Sequence, residues 1–491
     1  MIGSRPEPKP VPVRRYRYSK LRWRVLVHAL DAVGAVVMAI ARRFRPAAVV
    51  SQPRSILLVQ LDHLGDAVLT SPMLPRLRAA YPEARIDVLA SPSNRAVFEA
   101  DPHVDRVLVA EKNWFARGPA GRALGSAVWR LGRSLRAERY DLGIDVRGDV
   151  LTVLVLALAG VRRRVGWAMG GGGFLLTDVA EWRPGRHEVR SRMALLDCLG
   201  LPEVGPPRVA VGVGDSDRAR VATMLRDAWP NRDRPRSRAA ARATREGSSR
   251  SEIGEQRSES REQRAGSRDG AQGISTVNWR AEPHGSRIAD LESPFVAWSR
   301  RRDDAAVDAD TLHAGRFGES APILAVHLGA GTQAKRWPAR HWRALVSRFL
   351  RDGWRVVVVG GPDDAGLASA LPEHAALRDW TGRLAVTETA ALLERADLFI
   401  GADSGPAHLA ACAGVPSVVL FSGTNRVGQW RPWSRRSLVL RRRVRCRPCH
   451  HKVCPLADHP CLAGLSPERV HRAARAWWAR LHGEEAPHAP I

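Results

Sequence analysis

Short apolar runs alternate with helix-like periodicity along two stretches of this chain. In the first, runs at Ile56–Leu61, Ile86–Ala90, Val107–Ala110, Leu142–Val146 and Arg164–Trp167 are separated by segments with apolar residues at helical spacing. The second repeats the pattern at Ile323–Leu328, Arg355–Val359, Leu398–Ile400, Ser417–Phe421 and Leu438–Leu440. Parallel strands need a crossover long enough to hold a helix, so strand–helix alternation predicts a parallel, doubly wound sheet. Two such series predict an α/β protein with two Rossmann-like lobes, at 51–225 and 321–445, facing a cleft.

Between the lobes the pattern fails. Residues 226–320 contain runs such as RSRAAARATREGSSRSEIGEQRSESREQRAGSRDG, rich in Arg, Ser, Glu and Gly. Such composition buries too little to offset the entropy of ordering, so a largely disordered linker is expected. Residues 1–50 read as a basic tail whose apolar segment, Lys20 to Arg45, is helical but too short and too polar in its first half to span a bilayer. It suits a helix lying on an anionic membrane surface, or one packed on the protein's own surface. In the last segment, 446–491, Ser466 and Pro467 have the form of an N-cap and first-turn proline for a helix ending near Leu481.

Composition narrows the class. The chain has 491 residues, enough for two or three domains, and is 44% hydrophobic. No 18-residue stretch lacks polar groups, which excludes a membrane-embedded body. Net charge is +27, yet only five of the 77 Lys and Arg residues are lysines. That field favours anionic partners, whether nucleic acid, acidic lipid or a phosphorylated glycolipid, and does not choose among them. Recognition of nucleic acid by the Arg-rich linker is the less favoured use, since most such segments are solvated. The N-terminus lacks the cleavage site of a signal peptide, and the six cysteines are not a dense disulfide framework, so a cytoplasmic protein is expected.

Four motifs can carry chemistry. In ILLVQLDHLGDAVLTSPML a buried strand gives way to a loop with His63 and Gly65, and Asp66 opens a helix. Ligands of open parallel sheets bind at the carboxyl ends of strands, where Asp66 falls, although a first-turn aspartate also simply complements the helix dipole. In GADSGPAHLAACAGVPSVVLFSGT a strand runs into Asp403, Ser404 and Gly405, Pro406 starts a helix, and His408 lies in its first turns. Gly405 admits close backbone approach and the free N–H groups suit a diphosphate, while Ser404 and Pro406 are equally explained as cap and first-turn proline. VHLGAGTQAKRWPARHW presents Gly329, Thr332 and then Lys335, a compact ammonium able to follow charge on a leaving group. RVVVVGGPDD puts Asp363 and Asp364 after a later strand, where a ribose contact or a solvated loop pair both fit.

Near the C-terminus Cys446, Cys449, Cys454 and Cys461 follow the spacing C-x2-C-x4-C-x6-C. A structural zinc, reduced thiols or a disulfide are all compatible, because the last two intervals are not those of a paired zinc knuckle.

Together the motifs resemble glycosyltransferase family nine, the ADP-heptose:lipopolysaccharide heptosyltransferases, over most of residues 54–225 and 320–480. GAGTQAKRWP, GGPDD, TGRLAVTETAALLERAD and CRPCHHKVCPLADHPC also look like segments of its members. The resemblance implies a GT-B architecture, with the acceptor on the first lobe and the nucleotide sugar on the second. It implies Asp66 as general base and Lys335 as the motif lysine. Donor contacts would come from Gly329, Thr332, Lys335, Asp364, Asp403, Ser404, Gly405 and His408. At Asp364 the family often has glutamate, and the shorter side chain departs from that pattern.

The implied reaction is an inverting displacement that moves a heptose from an ADP sugar to a lipid-linked saccharide. Asp66 would take the acceptor proton, and Lys335 with the helix start at Ser404 would carry the leaving charge, with no cofactor required. Weaker acceptor candidates are His63, His187 and Arg190, with loops Asn113–Gly125 and Met169–Phe174, and a surface role suits His187 and Arg190 at least as well. A peripheral position on the cytoplasmic face of the inner membrane follows from the same resemblance. The alternatives are another sugar-nucleotide enzyme of this architecture, either a UDP-sugar transferase or an epimerase, and, from a different class, a non-catalytic nucleic-acid-binding protein.

Overall fold

The structure is a computed structural model that describes residues 21–44, 50, 52–110, 121–230 and 321–482. The tail before residue 21, most of the 226–320 linker and much of the Asn113–Gly125 loop lie outside the described residues.

The first lobe is preceded by helix α1 (Leu21–Phe44) and begins with β1 (Ser55–Gln60), α2 (Leu64–Thr70), α3 (Met73–Ala80), β2 (Arg85–Ala90), α4 (Ala96–Glu99) and β3 (Arg106–Val109). It continues through α5 (Gly121–Leu135), β4 (Leu142–Asp145), α6 (Val150–Leu158), β5 (Arg163–Gly166), β6 (Asp178–Val179), α7 (Glu188–Cys198) and α8 (Asp215–Ala228). Its six strands are all parallel, in the order β3-β2-β1-β4-β5-β6.

The second lobe contains β7 (Ile323–His327), α9 (Ala339–Arg351), β8 (Arg355–Val358), β9 (Leu377–Asp379), α10 (Val386–Arg395) and β10 (Leu398–Ala402). It closes with α11 (Gly405–Ala413), β11 (Ser417–Phe421), α12 (Val427–Trp430), β12 (Ser437–Arg441), α13 (Pro460–Ala463) and α14 (Pro467–Leu481). This sheet is also fully parallel, in the order β12-β11-β10-β7-β8-β9. Both lobes are thus the doubly wound sheets expected from the alternation. Helices cover both faces, so central strands such as Ile323–His327 are buried along their whole length and read as continuous apolar runs.

Two strands escape the apolar-run criterion. β6 and β9 are edge strands of two and three residues, only partly buried, and carry Asp178, Arg378 and Asp379. An edge strand has a single paired neighbour and little core to fill, so its sequence is not selected for apolar continuity.

The described residues on either side of the linker belong to one compact unit. α8 runs to Ala228, three residues past the expected end of the first lobe, and then meets the second lobe. Arg218 pairs with Glu394 and Arg220 Nε lies 2.9 Å from Glu388 Oε1, while Arg378 Nη2 donates to Ala228 O at 2.6 Å. At the other end, α1 docks on the first lobe through a buried carboxylate. Gly172 N–H donates to Asp31 Oδ1 at 2.7 Å, and Gly34 packs against the Phe174 ring.

Candidate functional site

The carboxyl ends of β1 and β10 carry the two loops that meet between the lobes. β1 is buried from Ile56 to Gln60 and projects Asp62, His63 and Leu64 off its end, and α2 begins at once. β10 projects Asp403 and Ser404, and α11 begins at Gly405 with Pro406 in its first turn and Gly414 closing it at φ 70°. The two helix starts pack directly on one another. A Cβ on Gly65 would sit 2.9 Å from His408 Cδ2, and one on Gly405 would sit 2.9 Å from Leu64 Cδ2. Only glycine on both sides allows this approach, so the two motifs joined by sequence reasoning are joined in space.

In the second lobe Lys335 Nζ lies 2.7 Å from Asp403 Oδ2, and Asn425 Nδ2 donates to the same oxygen at 2.9 Å. Asp403 is 5% exposed, so its charge is balanced by an ammonium and an amide rather than by solvent. Ser404 occupies the N-cap position, but its hydroxyl does not cap the helix. It lies 3.0 Å from His327 Nδ1 and donates toward Ala402 O at 3.2 Å, so it does not bond the first-turn N–H groups. A plain capping serine is therefore not the account of this residue.

His408 is buried, and burial in apolar surroundings lowers its pKa to about 4, leaving a neutral ring. No described group bonds its Nδ1. Thr332 Oγ1 is likewise buried without a partner among the described residues.

Asp364 has a different setting from the open loop pair considered in the sequence. His327 Nε2 lies 3.1 Å from Asp364 Oδ2, and Gly361 N–H donates to that oxygen at 3.1 Å. Burial pushes the carboxyl up, but the His327 and backbone hydrogen bonds outweigh it and hold Asp364 below the usual range. A Cβ on Gly329 would fall 1.8 Å from Asp364 Oδ1, so that glycine makes room for the carboxylate. Ser404, His327 and Asp364 form a continuous hydrogen-bonded line under the start of α11. His327 was missed from the sequence. Its only signal was a lone polar residue ending an otherwise apolar strand, ILAVH.

Asp66 sits in the first turn of α2 and is half-buried. Its Oδ1 lies 3.1 Å from Nη2 of Arg192, whose side chain is 2% exposed. Arg192 also reaches Glu188 Oε2 at 2.6 Å and Thr70 Oγ1 at 2.8 Å. Arg192 and Glu188 were not singled out from the sequence, where a further arginine in an arginine-rich chain carries no signal.

Of the weaker acceptor candidates, His63 is exposed at the cap of α2. His187 departs from expectation. Its Nδ1 accepts from Val189 N–H at 3.2 Å, its Nε2 donates to Arg431 O at 2.9 Å, and its ring lies 4.5 Å from that of Trp433. Both nitrogens are spent on the helix cap and on the other lobe, leaving none for an acceptor. Burial lowers its pKa to about 4. Arg190 stacks over Trp433 at 6.0 Å, so it too serves the lobe junction.

The cysteine segment packs against the turn that carries Lys335. Ala334 N–H donates to Lys452 O at 3.0 Å, Cys454 N–H donates to Gln333 Oε1 at 3.0 Å, and His459 Nε2 donates to Ala334 O at 3.1 Å. All six cysteines are unbridged. Among the described residues no group of three or more His, Cys, Asp or Glu is gathered to hold a metal, so Cys446, Cys449, Cys454 and Cys461 do not form such a set as they stand. A cavity of about 390 Å³ opens beside the same turn, lined by Leu328, Gln333, Arg336, Pro338, Leu367 and Asp458 among others.

Comparison with known proteins agrees with this geometry. Residues 290–459 match the family model described as glycosyltransferase family 9 (heptosyltransferase). Lipopolysaccharide heptosyltransferase 3 of Escherichia coli is 23% identical over 387 residues, spanning 75% of this chain and 84% of that protein. Lipopolysaccharide heptosyltransferase 2 of the same species is 23% identical over 426 residues, 84% of this chain and 96% of the relative. The solved structure of E. coli ADP-heptose lps heptosyltransferase II superposes with a TM-score of 0.56 at 19% identity, covering 87% of this chain and all of that one. The architecture is GT-B. With the first-turn aspartate of one lobe on a helix start that packs against the other lobe's, and the family match lying across the Lys335 and Asp403 motifs, the chain is similar to glycosyltransferase family 9 over residues 290–459 and is a glycosyltransferase.

Proposed function

We propose that this enzyme moves a heptose from ADP-heptose to a lipopolysaccharide-core or other lipid-linked saccharide acceptor, with inversion. The observation that carries the reading is the junction of Gly65 with His408, which brings the helix start bearing Asp66 against the one bearing Ser404 and Gly405. The names of its relatives supply the sugar and the nucleotide. In this reading the donor diphosphate lies on the start of α11, within reach of Thr332 and Lys335. Lys335 leaves Asp403 to follow the β-phosphate as its charge grows, and Asp66 accepts the proton of the attacking hydroxyl. Asp364 acts through His327 and Ser404, holding the floor of the donor site.

Peripheral attachment to the inner membrane's cytoplasmic face belongs to the same reading. No helix among the described residues is long and apolar enough to cross a membrane. α1 nonetheless leaves Val25, Leu30, Val33, Val36, Val37 and Ile40 each more than half exposed. A helix with an apolar stripe and arginines near both ends in sequence suits an anionic bilayer surface. A structural zinc at the four C-terminal cysteines is the finer reading of that segment, and metal analysis below about 0.2 equivalents removes it.

Incubation with a panel of nucleotide sugars and lipid A-type acceptors, with products identified by mass, tests the assignment. A heptosylated acceptor formed only from the ADP sugar is expected. Thermal stabilisation by UDP and not by ADP would instead favour a UDP-sugar transferase or epimerase.

A further inference from the structure

Asp66 is tied to the donor lobe by side chains that the reaction itself does not require. Three nitrogens of the Arg192 guanidinium are used: Nη2 toward Asp66 Oδ1 at 3.1 Å, Nη1 toward Glu188 Oε2 at 2.6 Å, and Nε toward Thr70 Oγ1 at 2.8 Å. Thr70 lies one turn beyond Asp66 on α2, and Glu188 one turn before Arg192 on α7. The planar fork therefore clamps these two helices together from a buried position. The second oxygen of Glu188 crosses to the other lobe, where Gln429 Nε2 donates to Glu188 Oε1 at 2.7 Å.

Gln429 sits on α12, immediately after the Ser422–Asn425 turn. That turn is bound to the donor cradle, because Asn425 Nδ2 donates to Asp403 Oδ2, the oxygen that also holds Lys335. One short stretch of chain thus grips the donor aspartate with Asn425 and Glu188 with Gln429, while Glu188 grips Arg192 and Arg192 grips Asp66.

We infer that Gln429, Glu188 and Arg192 are positioning residues that register the Asp66 carboxylate against the donor lobe, so that the base is aimed only when the Asn425 turn is in place. This inference rests on the reading of Asp66 as the base. Displacement of a reacting group by about 1 Å can cost roughly 100-fold in rate, so a relay that sets this register acts on turnover rather than on donor affinity.

The test is steady-state kinetics of the full chain with ADP-heptose and a lipid A-type acceptor. Gln429 is only partly buried, so Gln429→Leu is expected to fold, as a thermal midpoint within a few degrees of the parent would verify. Its kcat should fall about 10-fold with donor KM changed less than about 3-fold, and Glu188→Gln should behave alike. Arg192→Lys, which keeps the charge but not the fork, should lose about 100-fold in kcat. In an Asp66→Asn background, Gln429→Leu should have no further effect, because its action passes through the carboxylate already removed. Equal losses in both backgrounds, or a kcat for Gln429→Leu within about 2-fold of the parent, would overturn the relay while leaving the base in place. Near-normal turnover of Asp66→Asn alone would overturn the base, and the relay with it.

Discussion

Gly65 of the first lobe and His408 of the second stand so close that a single methyl group on Gly65 would meet the imidazole at 2.9 Å. The histidine cannot easily yield, being 4% exposed in the first turns of α11. Gly65→Ala should therefore prise the two helix starts apart, costing about 1–3 kcal/mol of stability, and lower kcat/KM for the donor by at least about 10-fold. Unaltered kinetics would show that this contact is not part of the working geometry.

Loss of the Asp66 carboxylate is expected to act on turnover. Positioned proton transfer contributes roughly 10²- to 10⁴-fold, so Asp66→Asn should reduce kcat by that order with donor KM changed only a few-fold. Rapid-quench or coupled assays at saturating substrates measure the split.

Lys335 is held at 2.7 Å from Asp403, and in the proposed reaction it exchanges that partner for a phosphate oxygen. Lys335→Met should lower kcat by about 10²- to 10³-fold, and Lys335→Arg should fail to restore it, since a planar fork does not follow a point of growing charge as an ammonium does. The same reasoning predicts persistent transfer in excess chelator. Complete dependence on magnesium, restored on its addition, would contradict it.

Two buried histidines make the fold sensitive to acid. His187 and His408 have pKa values lowered to about 4 by burial, against about 6.5 in the unfolded chain. Between those values the unfolded chain binds more protons than the folded one, so stability falls as pH drops from about 6.5 to 4 and is level above that window. Each histidine contributes at most roughly 3 kcal/mol to the loss. His187→Gln keeps a donor for Arg431 O but cannot titrate, so its thermal midpoint should decline less steeply across the same window.

Much of this organisation is legible in the chain alone, for identifiable physical reasons. Strands buried on both faces, such as Ser417–Phe421, must be apolar throughout, and Gly and Pro mark the helix starts beside them. Edge strands such as β6 and β9 carry no such obligation and leave no pattern. In the site, Lys335 and Asp403 are visible because loops after strands have few reasons to hold those residues. Arg192 and Gln429 are not, because their meaning lies in partners far away in sequence: Arg192 meets Asp66 across 126 positions, and Gln429 meets Glu188 across 241. His187 shows the converse case. A histidine opening a helix near a cleft suggests a ligand, yet its two nitrogens are consumed by the cap and by Arg431.

The turn that presents Lys335 is a single helical turn with two backbone hydrogen bonds of its own, Lys335 N–H to Thr332 O and Arg336 N–H to Gln333 O. Lys452 and His459 bond the backbone of Ala334 and Cys454 bonds the side chain of Gln333, all from more than a hundred residues downstream. A shortened protein ending before Cys446 would keep every residue assigned to the nucleotide sugar and still lose its grip on it, because the scaffolding, and not the ligand set, would have been cut away.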